Sequence, residues 1–147
     1  KMTDENLIQD ILHTYRIVAI IGLSKNSNKD SYKVGKYLQD NGFKIIPINP
    51  FAEEILGEKS YKNLLEIPLD LQKTIEIIDI FRPSNAIPKI VEDAIKLKEI
   101  YGLPCVIWMQ LTIINDKAAE IAKKAGFKVV MDRCMKIEHS KILKRRL

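Results

Sequence analysis

Hydrophobic and polar positions alternate along this chain in blocks of two kinds. Short apolar runs, nearly unbroken, recur at intervals and contain many β-branched residues. Such runs are typical of parallel strands that are buried on both faces. The predicted strands cover residues 17–23, 43–48, 74–81, 105–109 and 128–131.

Amphipathic stretches separate these runs. In the second of them Val34, Tyr37 and Leu38 share one face, the spacing expected of a helix that packs on a sheet. Gly42, among other glycines, follows such a stretch and is a typical helix stop. The predicted helices cover residues 3–13, 31–41, 87–101, 116–125 and 137–146.

This alternation predicts an α/β protein with helices on both faces of a parallel sheet. We expect one domain over residues 1–147, with a three-layer, doubly wound, Rossmann-like fold and a five-stranded parallel sheet. The expected strand order is 3-2-1-4-5, because crossovers are right-handed and the first strand is usually central. Ligands of such sheets bind beyond the carboxyl ends of the strands, so the loops after the strands are the candidate site.

The loop after the first strand contains Gly22, Ser24 and Lys25, and the next helix opens with Ser31 and Tyr32. A helix N-terminus that follows a buried strand attracts phosphate, and hydroxyls and lysines suit that role. The dinucleotide fingerprint requires three glycines, however, and this loop has one. A phosphate site and a plain polar connection both remain open for this loop.

The second strand ends at Asn49-Pro50, where NAD-binding domains usually carry an acid that holds the ribose. A carboxylate there would repel the 3′-phosphate of coenzyme A, whereas a neutral Asn would not. The pair therefore disfavours NAD, is compatible with NADP and favours coenzyme A. An Asn-Pro pair is also an ordinary turn.

The third strand ends at Phe81-Arg82. Arg82 is suited to pair with a phosphate or stack on adenine, and the alternative is a surface ion pair. Phe81 or Ile87 would form the apolar wall for a base. Asp79 lies within the strand, and we expect it to be buried, hydrogen-bonded to the backbone of a neighbouring loop, and structural.

The composition of the chain limits the classes of binding partner that we expect. The net charge of +5 suits an anionic small molecule as well as nucleic acid, but aromatic residues make up only 7%. The one basic cluster, Lys141, Lys144, Arg145 and Arg146, is typical of a solvated helix end, so we expect no nucleic-acid partner. No apolar run approaches the roughly 18 residues of a membrane span, and no signal-peptide pattern is present. We expect a cytoplasmic protein that has no membrane partner.

One group of residues has the composition of a reactive site: Asp132, Arg133, Cys134, Glu138 and His139. A cysteine near Arg and His can have a lowered pKa and exchange with disulfides. The alternative, which we favour, is an Asp–Arg and Glu–His hydrogen-bonded corner that locks the last helix. No metal-ligand spacing occurs and no complete catalytic set is evident.

Seven motifs together resemble those of the small bacterial and archaeal CoA-binding domain proteins, in the family's order and over nearly the whole chain. The motifs are Val18-Ala19-Ile20-Ile21-Gly22-Leu23-Ser24, Ser31-Tyr32-Lys33-Val34, Ile46-Pro47-Ile48-Asn49-Pro50, Ile55-Leu56-Gly57-Glu58-Lys59-Ser60-Tyr61, Asp79-Ile80-Phe81-Arg82-Pro83, Trp108-Met109-Gln110-Leu111 and Asp132-Arg133-Cys134-Met135-Lys136-Ile137-Glu138-His139. That family's fold is similar to the CoA-binding domain of the succinyl-CoA synthetase α subunit and of ADP-forming acyl-CoA synthetases.

The resemblance implies a coenzyme A site in four parts, which are the diphosphate region, the adenosine region, the surroundings of the nucleotide and the pantetheine path. The residues implied are, in that order, Gly22, Ser24, Lys25, Ser31 and Tyr32; Asn49 and Pro50; Phe81, Arg82 and Ile87; Trp108 and Gln110.

The resulting expectation is a non-catalytic module that binds coenzyme A or acyl-CoA for sensing or presentation. Such a module would act as a homodimer or with a partner enzyme. The alternatives are a thiol-redox or acyl-transfer enzyme that uses Cys134, and a regulatory domain for NADP or another nucleotide.

Overall fold

The structure, a computed structural model, describes residues 3–145, so Arg146 of the basic cluster lies outside the described residues. The first element is α1 and the last is α6; helices and strands alternate between them except where β2, β3 and β4 follow one another. The strands are β1 (Ile17–Ile21), β2 (Lys44–Ile48), β3 (Glu54–Ile55), β4 (Glu58–Lys59), β5 (Ile77–Ile80), β6 (Val106–Met109) and β7 (Lys128–Val130). The helices are α1 (Asp4–Thr14), α2 (Asp30–Asp40), α3 (Leu69–Gln72), α4 (Ile87–Tyr101), α5 (Asp116–Lys124) and α6 (Met135–Arg145).

Five parallel strands form the central sheet, in the order β2-β1-β5-β6-β7. The predicted α/β, doubly wound, Rossmann-like class is confirmed, but the predicted strand order is wrong. The third predicted strand, β5, does not lie at the edge beside β2. It pairs with β1, in a register that places Val18 opposite Ile77.

The connection over residues 49–76 is the reason for this order. It runs from β2 back past β1, the direction opposite to that of the α2 crossover. A right-handed crossover in the opposite direction must pass over the opposite face of the sheet. Leu64 and Ile67 of this connection accordingly pack with α4 and α5 on one face, whereas Val34 and Leu38 of α2 pack with α1 and α6 on the other.

The ends of β1 and β5 approach closely at Gly22. This residue has a φ of +88°, and a Cβ placed on it would lie 3.1 Å from the carbonyl oxygen of Phe81. Any side chain at position 22 would therefore be strained in its backbone and would push the β5 loop away. Glycine is what allows the two loops to lie side by side.

Asp79 is a carboxyl group in the middle of the sheet, with none of its surface exposed. Its Oδ1 accepts a hydrogen bond of 2.6 Å from Gln110 Nε2, a side-chain donor on the neighbouring loop rather than the backbone we expected. Oδ2 is buried and has no partner among the described residues. Burial raises the pKa of Asp79 to about 7, and the hydrogen bonds from Gln110 and the Ile80 backbone only partly oppose this.

Within residues 3–145, no helix has the length and apolar character that a membrane crossing requires.

Replacing Gly22 with alanine tests the close approach of β1 and β5. We expect Gly22→Ala to lower the free energy of unfolding by about 2–4 kcal/mol, since it combines a left-handed backbone with a steric conflict. Gly42→Ala is the matched control, because Gly42 has a φ of +87° but no atom within 4 Å of its added Cβ. Urea unfolding that gives the same loss for both variants would contradict the steric constraint.

Replacing Asp79 with asparagine tests the buried carboxyl. Its folded-state pKa of about 7 lies above the ordinary 3.8, so the native state keeps a proton that the unfolded chain releases. Stability due to this group is therefore lost as pH rises from about 4 to about 7, and stays low above that range. We expect Asp79→Asn to be more favourable at pH 8 than at pH 5 by on the order of 2 kcal/mol in unfolding free energy. A pH-independent difference between variant and native protein would contradict the prediction.

Candidate ligand-binding site

The carboxyl ends of the parallel strands form one edge of the sheet, and the loops after β2, β1, β5 and β6 lie along it in that order. The chain leaves β1 across one face and β5 across the other, so the crevice between the two is the topological switch point. The corrected strand order therefore makes the Phe81 loop the direct neighbour of the Gly22 loop. The expected order had placed the fourth strand there.

The loop between β1 and α2 is held to the start of α2 by its serines. The Ser24 backbone N–H donates to Ser31 Oγ at 2.9 Å, and the Asn26 backbone N–H donates to Ser24 Oγ at 3.0 Å. Ser31 is buried, whereas Lys25 is exposed. Both hydroxyl oxygens thus shape the loop, and Lys25 is the side chain that projects from it.

The N-terminus of α2 faces the same crevice and lacks a side-chain cap. The residue before the helix is Lys29, whose side chain makes no capping hydrogen bond. The backbone N–H groups of the first turn, at Asp30 to Tyr32, are consequently available to an acceptor from outside, and the helix dipole favours an anion there. Tyr32 is half-buried beside them.

Asn49 joins the end of β2 to the β1 loop. Its Nδ2 donates to the Leu23 carbonyl at 3.0 Å, and its Oδ1 accepts from the Phe51 backbone N–H at 2.8 Å. Both ends of the amide are thus used within the protein. The expected neutral residue is present at this position, but in this structure its hydrogen bonds organise the loops.

A broad cleft of about 860 Å³ lies beyond the end of β2, against the β3–β4 hairpin. Phe51 projects into solvent there with 88% of its surface exposed. Two ammonium groups and two carboxylates lie around it. The lining residues are Asn49, Pro50, Phe51, Ala52, Glu53, Glu54, Lys59, Ser60 and Lys62.

A second cleft, of about 320 Å³, lies beyond β5 and β6, between α2 and the start of α6. Its walls combine apolar side chains, one amide, one thiol, two ammonium groups and one carboxylate. The lining residues are Asp30, Lys33, Val34, Phe81, Gln110, Leu111, Cys134, Lys136 and Ile137. We call this space the α2–α6 cleft.

Four cations lie at this edge, Lys25 and Arg82 on loops, Lys33 in α2 and Lys136 in α6. Some lysines elsewhere on the helices pair with carboxylates, as Lys124 does with Glu120 at 3.2 Å. Within residues 3–145, no ion pair engages Lys25, Lys33, Arg82 or Lys136. Positive charge is therefore left unneutralised around the switch point, and this favours an anionic ligand.

Two of the expected site residues have no exposed surface. Ile87, the first residue of α4, is fully buried in the core on one face of the sheet. Trp108 is fully buried in the core on the other face. The Trp108 indole N–H donates to the Arg133 carbonyl at 2.8 Å, which fixes the loop before α6. In this structure both side chains support the site from the core and offer nothing to a ligand directly.

The reactive-site hypothesis for residues 132–139 does not match the geometry. Arg133 pairs with Glu5 at 3.0 Å and Glu138 at 3.2 Å, and His139 Nδ1 lies 2.8 Å from the Tyr37 hydroxyl. A hydrogen-bonded corner exists, as favoured, but the expected Asp–Arg pair is wrong, because Arg133 binds the two glutamates and Asp132 Oδ1 accepts from the Thr112 backbone N–H.

Burial raises the pKa of Cys134, and the backbone N–H groups of Ile137 and Lys136 only partly oppose this. Asp79 adds to the increase. The direction is opposite to the lowered pKa that the less favoured reactive hypothesis requires, because burial disfavours the thiolate.

Sequence reasoning missed several cleft residues, namely Lys33, Lys136, Leu111 and Ile137 at the α2–α6 cleft and Phe51, Lys59 and Lys62 near β2. The sequence marked these residues only indirectly, since each lies within one of the seven motifs or directly after one. Their convergence was not visible, because it depends on β5 lying beside β1. Among residues 3–145, no three His, Cys, Asp or Glu side chains gather as a metal site would require.

Known proteins share this fold. The chain is 37% identical to a hypothetical protein from Pyrococcus horikoshii OT3, whose structure superposes with a TM-score of 0.84 over 97% of this chain and 93% of that one. It is 35% identical over 133 residues to the uncharacterized protein YneT of Bacillus subtilis, covering 90% of this chain and 92% of YneT.

A longer relative is the ADP-forming acetate–CoA ligase of Methanocaldococcus jannaschii, 33% identical over 129 residues, which are 85% of this chain but 18% of the ligase. The family model described as a CoA binding domain matches residues 16–140, from the end of the first helix into α6. This chain belongs to the CoA-binding domain family.

Proposed function

We propose that this chain binds coenzyme A, free or acylated, across the carboxyl edge of its sheet and has no catalytic activity of its own. The observation that carries the proposal is a set of cations around the switch point, Lys25, Lys33, Arg82 and Lys136, that form no ion pair with a carboxylate of residues 3–145. A ligand with several phosphates supplies the charges that the protein leaves unmatched.

The diphosphate would lie over the first turn of α2. The uncapped backbone N–H groups of that turn and the helix dipole favour phosphate oxygens. Gly22 keeps this surface close to the Phe81 loop, and Lys25 extends from the same loop. Arg82 is exposed on the neighbouring loop, where a guanidinium can pair with phosphate or stack on a base.

The adenosine would lie toward β2. Phe51 offers an exposed aromatic face for stacking, and Lys59 and Lys62 supply positive charge for the 3′-phosphate. Glu53 and Glu54 line the same cleft, so the phosphate would lie on the lysine side. The end of β2 carries Asn49 rather than an acid, which removes the repulsion that a ribose phosphate would meet there.

The pantetheine arm would lie in the α2–α6 cleft, whose walls combine apolar side chains with the Gln110 amide. Cys134 borders that cleft, and burial raises its pKa despite the opposing charge of Lys136, so the thiol is suited to packing against the arm. A module of this kind would present or sense coenzyme A for a partner enzyme. The match to a segment of an acetate–CoA ligase supports such a partnership.

Calorimetric titration tests the ligand. We expect coenzyme A to bind more tightly than 3′-dephospho-CoA by about 10-fold, as one phosphate that gains charge-assisted hydrogen bonds would give. We expect NADP and NAD to bind more weakly than coenzyme A. If coenzyme A binds no better than NADP, the chain is instead a domain for another nucleotide.

Neutralising Lys25 tests the electrostatic part of the site. We expect Lys25→Gln to weaken coenzyme A binding by about 5-fold at low salt and by less at high salt, because screening removes the contribution of an exposed charge. Lys44→Gln is the matched control, since Lys44 is exposed at the amino end of β2, on the opposite edge of the sheet. Equal effects of the two variants would indicate only a general charge effect.

A further inference from the structure

A buried amide–carboxyl pair, Gln110 and Asp79, lies at the floor of the α2–α6 cleft. The hydrogen bond between these side chains is not part of the strand pairing. Gln110, 2% exposed, lies directly after β6 and borders the cleft. Asp79, fully buried on β5, accepts the 2.6 Å hydrogen bond from Gln110 Nε2. The backbone of Gln110 is itself fixed, because its N–H donates to the Ile80 carbonyl and its carbonyl accepts from Ile113.

This hydrogen bond sets the direction of the Gln110 amide. Above its pKa of about 7, for instance at pH 8, Asp79 is a carboxylate. A carboxylate accepts hydrogen bonds and does not donate them, so it selects the NH₂ end of the amide and rejects the carbonyl end. Gln110 Oε1 receives no hydrogen bond from the described residues, and it is not among their buried unpartnered atoms. It follows that Oε1 lies at the surface of the cleft as a vacant acceptor.

Gln110 Oε1 differs in chemistry from the other polar groups that line the cleft. The other polar side chains around it are the donors Lys33 and Lys136, the thiol of Cys134 and the carboxylate of Asp30 at the mouth of α2. Gln110 is therefore the one neutral side-chain oxygen among the lining residues. Neutral acceptors suit neutral donors such as a secondary amide N–H, which a pantetheine arm carries twice.

We propose that Asp79 is a positioning residue, which holds the Gln110 amide with Oε1 toward the α2–α6 cleft so that the cleft selects a ligand arm with an amide N–H. This inference rests on the proposed function. The unpartnered Asp79 Oδ2 supports it, since Gln110 is the one side chain among the described residues that donates a hydrogen bond to this buried carboxyl. The pair thus converts a carboxyl in the core into a neutral, directed acceptor at the surface.

A double-mutant cycle with two ligands tests the inference. The variants are Asp79→Asn, Gln110→Met and the double variant, and the ligands are coenzyme A and adenosine 3′,5′-bisphosphate, which lacks the arm. Asparagine can offer either end of its amide, so it no longer fixes Gln110. We expect each single variant to weaken coenzyme A binding by about 10-fold, as expected for one hydrogen bond in a buried site, and the double variant to lose no more than Gln110→Met.

Affinity for the bisphosphate should stay within about twofold of the native value in all three variants, because this ligand does not reach the cleft floor. The control is Gln72→Met. Gln72 is also a buried glutamine, which donates to the Leu64 carbonyl and accepts from the Tyr101 hydroxyl, away from the cleft. It should change neither affinity.

Loss of affinity for both ligands alike, or additive losses in the double variant, would overturn the positioning role and leave the proposed function standing. Native protein that binds neither ligand would overturn both together.

A measurement on the native chain keeps the test valid even if the variants fold poorly. In ¹⁵N NMR spectra, coenzyme A should shift the Gln110 side-chain amide signals and the bisphosphate should not. Unchanged Gln110 signals with coenzyme A bound would also overturn the inference.

Discussion

The contact between the ends of β1 and β5 determines how the loops at the carboxyl edge of the sheet are arranged. Gly22 carries no side chain, so the Phe81 carbonyl can lie where a Cβ would otherwise be, 3.1 Å away. With the two loops in contact, the chain diverges to opposite faces of the sheet on either side of them. That divergence opens a crevice, and the uncapped start of α2 is directed into it.

The distribution of positive charge also depends on this geometry. Several helix lysines are neutralised locally, through pairs three or four residues apart such as Lys36 with Asp40. Loops at the carboxyl edge lack such periodic partners, and Lys25 and Arg82 form no ion pair with the described residues. The positive field is thereby concentrated where the helix dipole also favours an anion, and the two effects reinforce each other.

Burial decides the chemistry of the groups beneath the edge. The same desolvation raises the pKa of Asp79 and of Cys134, because each would have to hold a charge away from water. A thiol with a raised pKa is a poor nucleophile at neutral pH, and the buried carboxyl is held by the Gln110 amide at 2.6 Å. These properties suit the recognition of a ligand arm better than group transfer.

The sequence by itself determined the elements and the general class of the fold. Unbroken apolar runs identified all five strands of the main sheet, since burial on both faces leaves no polar alternation. Motif order identified the family, and the residues of the β1–α2 loop were found because phosphate sites have a fixed place relative to strand and helix. These are local properties, which depend on neighbours close in the chain.

Only the tertiary structure decided which loops are neighbours. The order of strands depends on which face the connection over residues 49–76 crosses, and no local pattern in that segment specifies the face. For the same reason Lys33 and Lys136, more than a hundred positions apart, were not seen to border one cleft. The partner of Asp79 and the pKa of Cys134 likewise depend on long-range packing, because desolvation is set by everything that surrounds a group and not by its place in the sequence.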